Sequence, residues 1–210
     1  MGLAAPTVSV GLDVRCPFIS GEEFAAMVKS QFVASDGTKA IFREPLPNDA
    51  AQLMEFINEI IDEPMSGLLM NKTVTLKQER RWLKDRLKEV ADAETVMLLV
   101  EVGGRVRGSC AVNRRRWKES HKGNIGIALS REMRGKGVGE ALMRKTMELA
   151  AKRMRGLEML DLAAFRYNKR ALALYKKLGF VRVGRIPDSV KEGDVYSDEE
   201  IMVLRLREKR

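Results

Sequence analysis

The stretch Leu129-Ser130-Arg131-Glu132-Met133-Arg134-Gly135-Lys136-Gly137-Val138-Gly139-Glu140 limits what this chain can fold into more than any other. A β-like run ends in a turn with glycines at alternate positions, and a helical apolar stripe (Val138, Ala141, Leu142, Leu149) follows at once. Glycine takes backbone angles that other residues resist, so the N–H groups of 135–139 can point into one concavity. The helix start adds the positive end of its dipole, and Arg134 and Lys136 bring full charges to the rim. Strand, turn and helix in this order describe a pyrophosphate site. The spacing is neither that of a Walker A loop, which closes on Gly-Lys-Ser/Thr, nor Gly-x-Gly-x-x-Gly. Taken alone, the segment leaves open a glycine-rich turn that binds nothing.

A second segment, Asn168-Lys169-Arg170-Ala171-Leu172-Ala173-Leu174-Tyr175-Lys176-Lys177-Leu178-Gly179-Phe180, reads as a short helix. Asn168 suits the N-cap and Gly179 the C-terminal stop, while Ala171, Leu174, Tyr175 and Leu178 share one face. By spacing alone, Tyr175 is a core aromatic.

Around these segments the chain predicts a strand at 39–43 and a helix at 49–61. Thr75 and Gln78 form a capping box that opens a helix to about 91. A hairpin follows, 96–102 and 106–113 about Gly103-Gly104, and then a strand at 124–130. Beyond the glycine turn come a helix to 155, a strand at 157–162, a helix at 168–178, and strands at 181–185 and 201–206. The order is that of a mixed α/β domain, an α+β mixture, over 38–210. Residues 1–37 show little pattern beyond a short helix at 22–32 and are expected to be an extension.

The two segments together resemble the GNAT superfamily of acetyl-coenzyme A-dependent N-acetyltransferases. Arg134, Gly137 and Gly139 match its Gln/Arg-x-x-Gly-x-Gly/Ala signature, and Asn168, Ala171, Leu174, Tyr175, Gly179 and Phe180 match its later helix motif. The resemblance implies a central, mostly antiparallel mixed sheet flanked by helices. It implies that Gly135, Lys136, Gly137, Val138 and Gly139 hold the pyrophosphate of acetyl-CoA beside Arg134. Ile127 and Leu129 would pair with the pantetheine arm, Asn168 would touch it, and Tyr175 would protonate the departing thiolate. A thiol of pKa about 8.5 leaves more easily when an acid near 10 hydrogen-bonds to it. Many members carry a glutamate base on the strand before the glycine turn, but residues 124–129 hold no carboxylate. Glu101 is therefore the first candidate base, with Glu199 and Glu200 behind it. His121, the sole histidine, is expected to be a bystander, and Cys110 a buried small residue rather than a nucleophile. The expected reaction is direct attack by an amine in a ternary complex.

Composition trims the alternatives. No apolar run approaches the roughly 18 residues of a membrane span, and the start lacks the cationic pattern of a secretory signal, so a cytoplasmic protein with no membrane partner is expected. Cys16 and Cys110 have no metal-like spacing, so no metal is expected. The formal charge of +9 suits coenzyme A or nucleic acid. Arg114-Arg115-Arg116-Trp117-Lys118 is the one stretch suited to nucleic acid, and it reads more simply as a solvated loop. The expected partner is a small-molecule or peptide amine: an amino acid, a protein N-terminus or lysine, or a polyamine. A coenzyme sensor without turnover, a nucleic-acid module and a homodimer stay open.

Overall fold

The computed structural model of the protein describes residues 29–206. Its strands are β1 (Lys29–Val33), β2 (Lys39–Arg43), β3 (Thr95–Val102), β4 (Arg105–Arg114), β5 (Lys122–Leu129), β6 (Met159–Phe165), β7 (Val181–Glu192) and β8 (Val195–Arg205). Its α-helices are α1 (Ala50–Ile61), α2 (Leu76–Ala91), α3 (Val138–Arg153) and α4 (Lys169–Lys177). The strands form one sheet ordered β1-β2-β3-β4-β5-β6-β8-β7, antiparallel throughout except for β5 beside β6.

Strand β3 shows why the sheet has helices on both faces. It is apolar at consecutive positions, as a doubly covered strand must be. Val96, Leu98 and Val100 join one core with Leu142 and Met143 of α3 and with Tyr175 and Leu178 at α4. Met97 and Leu99 join a second core with Leu53 and Phe56 of α1 and Leu83 of α2. The expected capping box is present: the Gln78 N–H donates to Thr75 Oγ1, and the Thr75 N–H donates to Gln78 Oε1 at 2.8 Å.

Two expectations are corrected. Residues 29–32 lie in a strand, not a helix, while 22–28 fall outside the described residues. Phe32 stacks on Phe42 at 5.4 Å, which draws this stretch into the sheet as the partner of β2, within the span set apart as an extension. The last two strands run to Glu192 and from Val195, far beyond 181–185 and 201–206, as a long hairpin turning at Gly193. Much of β7 is exposed, so it carries no buried stripe for periodicity to reveal.

The feature that makes a site is a split in the sheet. β5 and β6 pair only at Lys122–Met159, Gly123–Leu160 and Asn124–Asp161. Beyond that point β5 stays paired with β4 as far as Leu129, and β6 stays paired with β8 as far as Phe165. The facing edges of 125–129 and 162–165 therefore carry backbone groups without ladder partners. The apex of the split is tied: Asp161 accepts from Asn124 Nδ2 at 2.8 Å and from Arg115 Nη2 at 2.6 Å.

Candidate active site

Two cavities open along the split. The first, about 830 Å³, runs from β5 across the glycine turn to the start of α4. The second, about 590 Å³, lies against α1, α2 and the β4–β5 face. Both are walled by Gly67, Leu68, Ile127, Ala128, Ala163 and Tyr175, so they meet where the strands part.

The glycine turn is built as its sequence demands. Gly135 (φ 79°) and Gly137 (φ 83°) take left-handed angles, and Gly137 is the N-cap of α3. Gly139 sits inside the helix, where a Cβ would stand 3.3 Å from Leu129 and 3.5 Å from Leu174, so its bareness lets the helix approach β5 and α4. Gly135, Gly137 and Gly139 line the first cavity with Ile127, Leu129, Arg134, Asn168 and Tyr175.

The charges near this turn are arranged differently from the expected rim. Arg134 does line the cavity, but its Nε donates to the Leu129 carbonyl at 2.9 Å and its other nitrogens grip Glu63 at 2.6 and 3.0 Å. It ties the end of β5 to the segment after α1. Lys136 lies outside both cavity walls: it pairs with Asp36 at 2.6 Å, while the Ser35 N–H donates to its carbonyl. The Lys136 ammonium holds the Asp36 carboxyl down to about 2. The Val138 side chain is fully buried in the core and outside both walls, leaving only its backbone at the helix start. Sequence reasoning missed Arg170, which lines the cavity with its guanidinium 3.7 Å from where a Gly135 Cβ would stand. Its position two residues past the Asn168 cap, in the first turn of the second motif, was the available signal.

Asn168 caps α4, its Oδ1 accepting from the Ala171 N–H at 3.1 Å, and its Nδ2 points at Gly67. Tyr175 is 8% exposed, and burial pushes its hydroxyl up to about 12. It leans on Phe180 with ring centroids 6.1 Å apart. Cys110 is wholly buried, its thiol also pushed by burial to about 12, as an inert core residue should be.

Glu101 is not brought to this junction. It lines neither cavity, and its Oε2 accepts from Arg43 Nε at 2.6 Å, in a cluster where Arg43 also grips Asp49. Glu200 is buried beneath Arg182, 3.2 Å away. Glu199 does line the second cavity, accepting from Ser189 Oγ at 2.8 Å. His121 lies outside both walls. In the basic stretch, Arg114 faces Glu94 at 3.7 Å and Arg115 holds Asp161, so two of its cations serve the fold. Sequence reasoning also missed Glu79 of α2. It is 7% exposed, lines the second cavity, and burial raises the pKa of its carboxyl.

The profile of the Acetyltransferase (GNAT) family matches residues 54–180, and the chain belongs to that family, whose cosubstrate is acetyl-CoA. No curated protein matches the chain. Among solved structures, it is similar to an acetyltransferase of the GNAT family from Streptococcus pneumoniae, with a TM-score of 0.71 and 24% identity over 80% of this chain and 99% of that one. A ribosomal-protein-alanine N-acetyltransferase from Brucella melitensis gives 0.70 and 20%, over 79% and 99%. A GNAT superfamily phosphinothricin acetyltransferase from Sinorhizobium meliloti, solved with AcCoA, gives 0.69 and 18%, over 80% and 88%. At these identities the likeness speaks for the fold. No helix among the described residues is long and apolar enough to cross a membrane.

Proposed function

We propose that this enzyme transfers the acetyl group of acetyl-CoA to a primary amine by direct attack in a ternary complex, with Tyr175 as the acid for the departing thiolate. The observation that carries this reading is the meeting of two cavities at Tyr175, where β5 and β6 have parted. Two reactants held one in each cavity would meet there.

The residues of the first cavity suit acetyl-CoA. Its volume falls within the roughly 300–1,000 Å³ of cofactor clefts. The glycine turn, with the amino end of α3 behind it, offers backbone N–H groups and dipole to a pyrophosphate. Arg170, which makes no ion pair with any described residue, offers the nearby positive charge. The freed β5 edge at 125–129 can hydrogen-bond the amides of an extended pantetheine arm, as a neighbouring strand would.

Acetyl-CoA supplies the activated acyl group. The amine nitrogen bonds to the carbonyl carbon, the carbon–sulfur bond breaks, and the sulfur takes the Tyr175 proton. The proton lost from the amine nitrogen passes to water, and solvent restores the tyrosine. Burial keeps the Tyr175 hydroxyl protonated across the working range, so it is always ready to donate.

Tyr175→Phe is expected to lower kcat by roughly a hundredfold, the lower range for loss of a general acid. Affinity for acetyl-CoA, measured by calorimetry, is expected to stay within about twofold, because the ring still packs on Phe180. Unchanged turnover would make Tyr175 a packing residue and remove the proposed acid.

A further inference from the structure

The second cavity carries more information than the presence of an acceptor. Its wall is mainly apolar: Phe56, Leu68, Met70, Trp82 and Met97 contribute to it, from α1, α2, β3 and the segment between the helices. Leu69, Met70 and Trp82 also stand 75%, 43% and 39% exposed, so large apolar groups cluster at one mouth. Exposed apolar surface gathered around a concavity marks a binding site.

The charges in this wall are not equivalent. Arg86 is neutralised: its Nη1 donates to Glu89 at 2.7 Å and to Thr95 at 3.1 Å, and also to Asn113. Its guanidinium lies 5.3 Å from the Trp82 ring centroid, which holds the indole in place. Glu199 already accepts a hydrogen bond from Ser189. Glu79 differs, since no described residue gives its carboxylate a hydrogen bond or ion pair, although the residue is over nine-tenths buried. A carboxylate mostly withdrawn from water and without a partner is costly, and a cation entering the cavity relieves it.

We propose that the second cavity is the acceptor site and that it selects a primary amine carried on an apolar body, with Glu79 receiving the ammonium as it enters, before the nitrogen gives up a proton to water and reaches the thioester, and with Trp82 and Met70 covering the apolar part. This rests on the acetyl-transfer reading above and narrows its acceptor. A free alkyl or arylalkyl amine and a peptide with an apolar N-terminal residue share this chemistry. Glycine has no apolar body, and a polyamine brings further charges that this wall meets only at Glu199.

The test begins with the unaltered protein, using 2-phenylethylamine, a tripeptide amide with N-terminal phenylalanine, glycine and spermidine as acceptors. The higher kcat/KM is expected for one of the two phenyl-bearing probes, and which one leads tells a free amine from a peptide. A preference for glycine or spermidine overturns the proposal. Glu79→Gln is then expected to raise the KM of the preferred probe at least roughly tenfold, the equivalent of about 1.4 kcal/mol. Its affinity for acetyl-CoA should not change, because Glu79 lies outside the first cavity. Glu79→Asp should recover part of the loss, which a general folding defect would not do. An unchanged KM in Glu79→Gln overturns the assignment of the ammonium. If no amine turns over, acetyl transfer itself fails, and calorimetric titration of 2-phenylethylamine still decides the subsite. Affinity lowered by Glu79→Gln supports it; equal or absent binding in both proteins overturns it.

Discussion

Burial governs how Tyr175 would serve as the proposed acid. Its hydroxyl is raised from an ordinary value near 10 to about 12, so the proton stays on through the whole range in which amines become neutral. We therefore expect kcat to climb with pH as the amine loses its proton, with no decline below about pH 10. A falling limb near pH 8–9 would assign the acid to another group. Glu101 behaves oppositely, since its carboxylate serves Arg43 and lies outside both cavities. Glu101→Gln should leave kcat/KM within about twofold and cost stability on the order of 1 kcal/mol, a lost charge-assisted bond to Arg43; a large loss of turnover at unchanged melting temperature would restore it as a base candidate. Residue identities were legible in the chain, but their partners were not. Arg134 and Lys136 advertise cations beside the glycines, yet Glu63 and Asp36 occupy them from far upstream. Arg170 and Glu79 were hidden for the reverse reason: one sits within a helix motif and the other among the many charges of α2, and only the fold brings them to a wall.

The turn from β5 into α3 is the element most fully written in the sequence, because its glycines answer a local need. Gly135 and Gly137 take angles that side chains resist, and both line the first cavity. Gly137→Asp would strain that backbone and set a negative charge at the start of α3. We expect affinity for acetyl-CoA to fall beyond roughly a hundredfold, the effect of about 2.7 kcal/mol, with far-UV circular dichroism retained. Undiminished affinity in the folded variant would take the pyrophosphate away from this turn. The capping box at Thr75, the hairpin between β3 and β4 and the cap at Asn168 were legible for the same local reason. Strand β1 and the outer reach of the β7–β8 hairpin were not, since pairing partners rather than a buried stripe decide them.

At the scale of the molecule, the doubly covered sheet follows from strands such as β3 that are apolar on both faces, but the split does not. It exists because β5 and β6 pair for only three residues, with Asp161 fastening the apex to Asn124 and Arg115. No local pattern in either strand announces where a ladder stops. The two cavities, and the exposure of Tyr175 to both, are consequences of that divergence. The central claim is that the split brings acetyl-CoA and an amine together. The most direct test is calorimetric titration of the unaltered protein with acetyl-CoA, followed in the same preparation by thiol release across a panel of primary amines. The account predicts saturable binding and thiol release that depends on the added amine. Absence of binding, or thiol release at the same rate with and without amine, would contradict it.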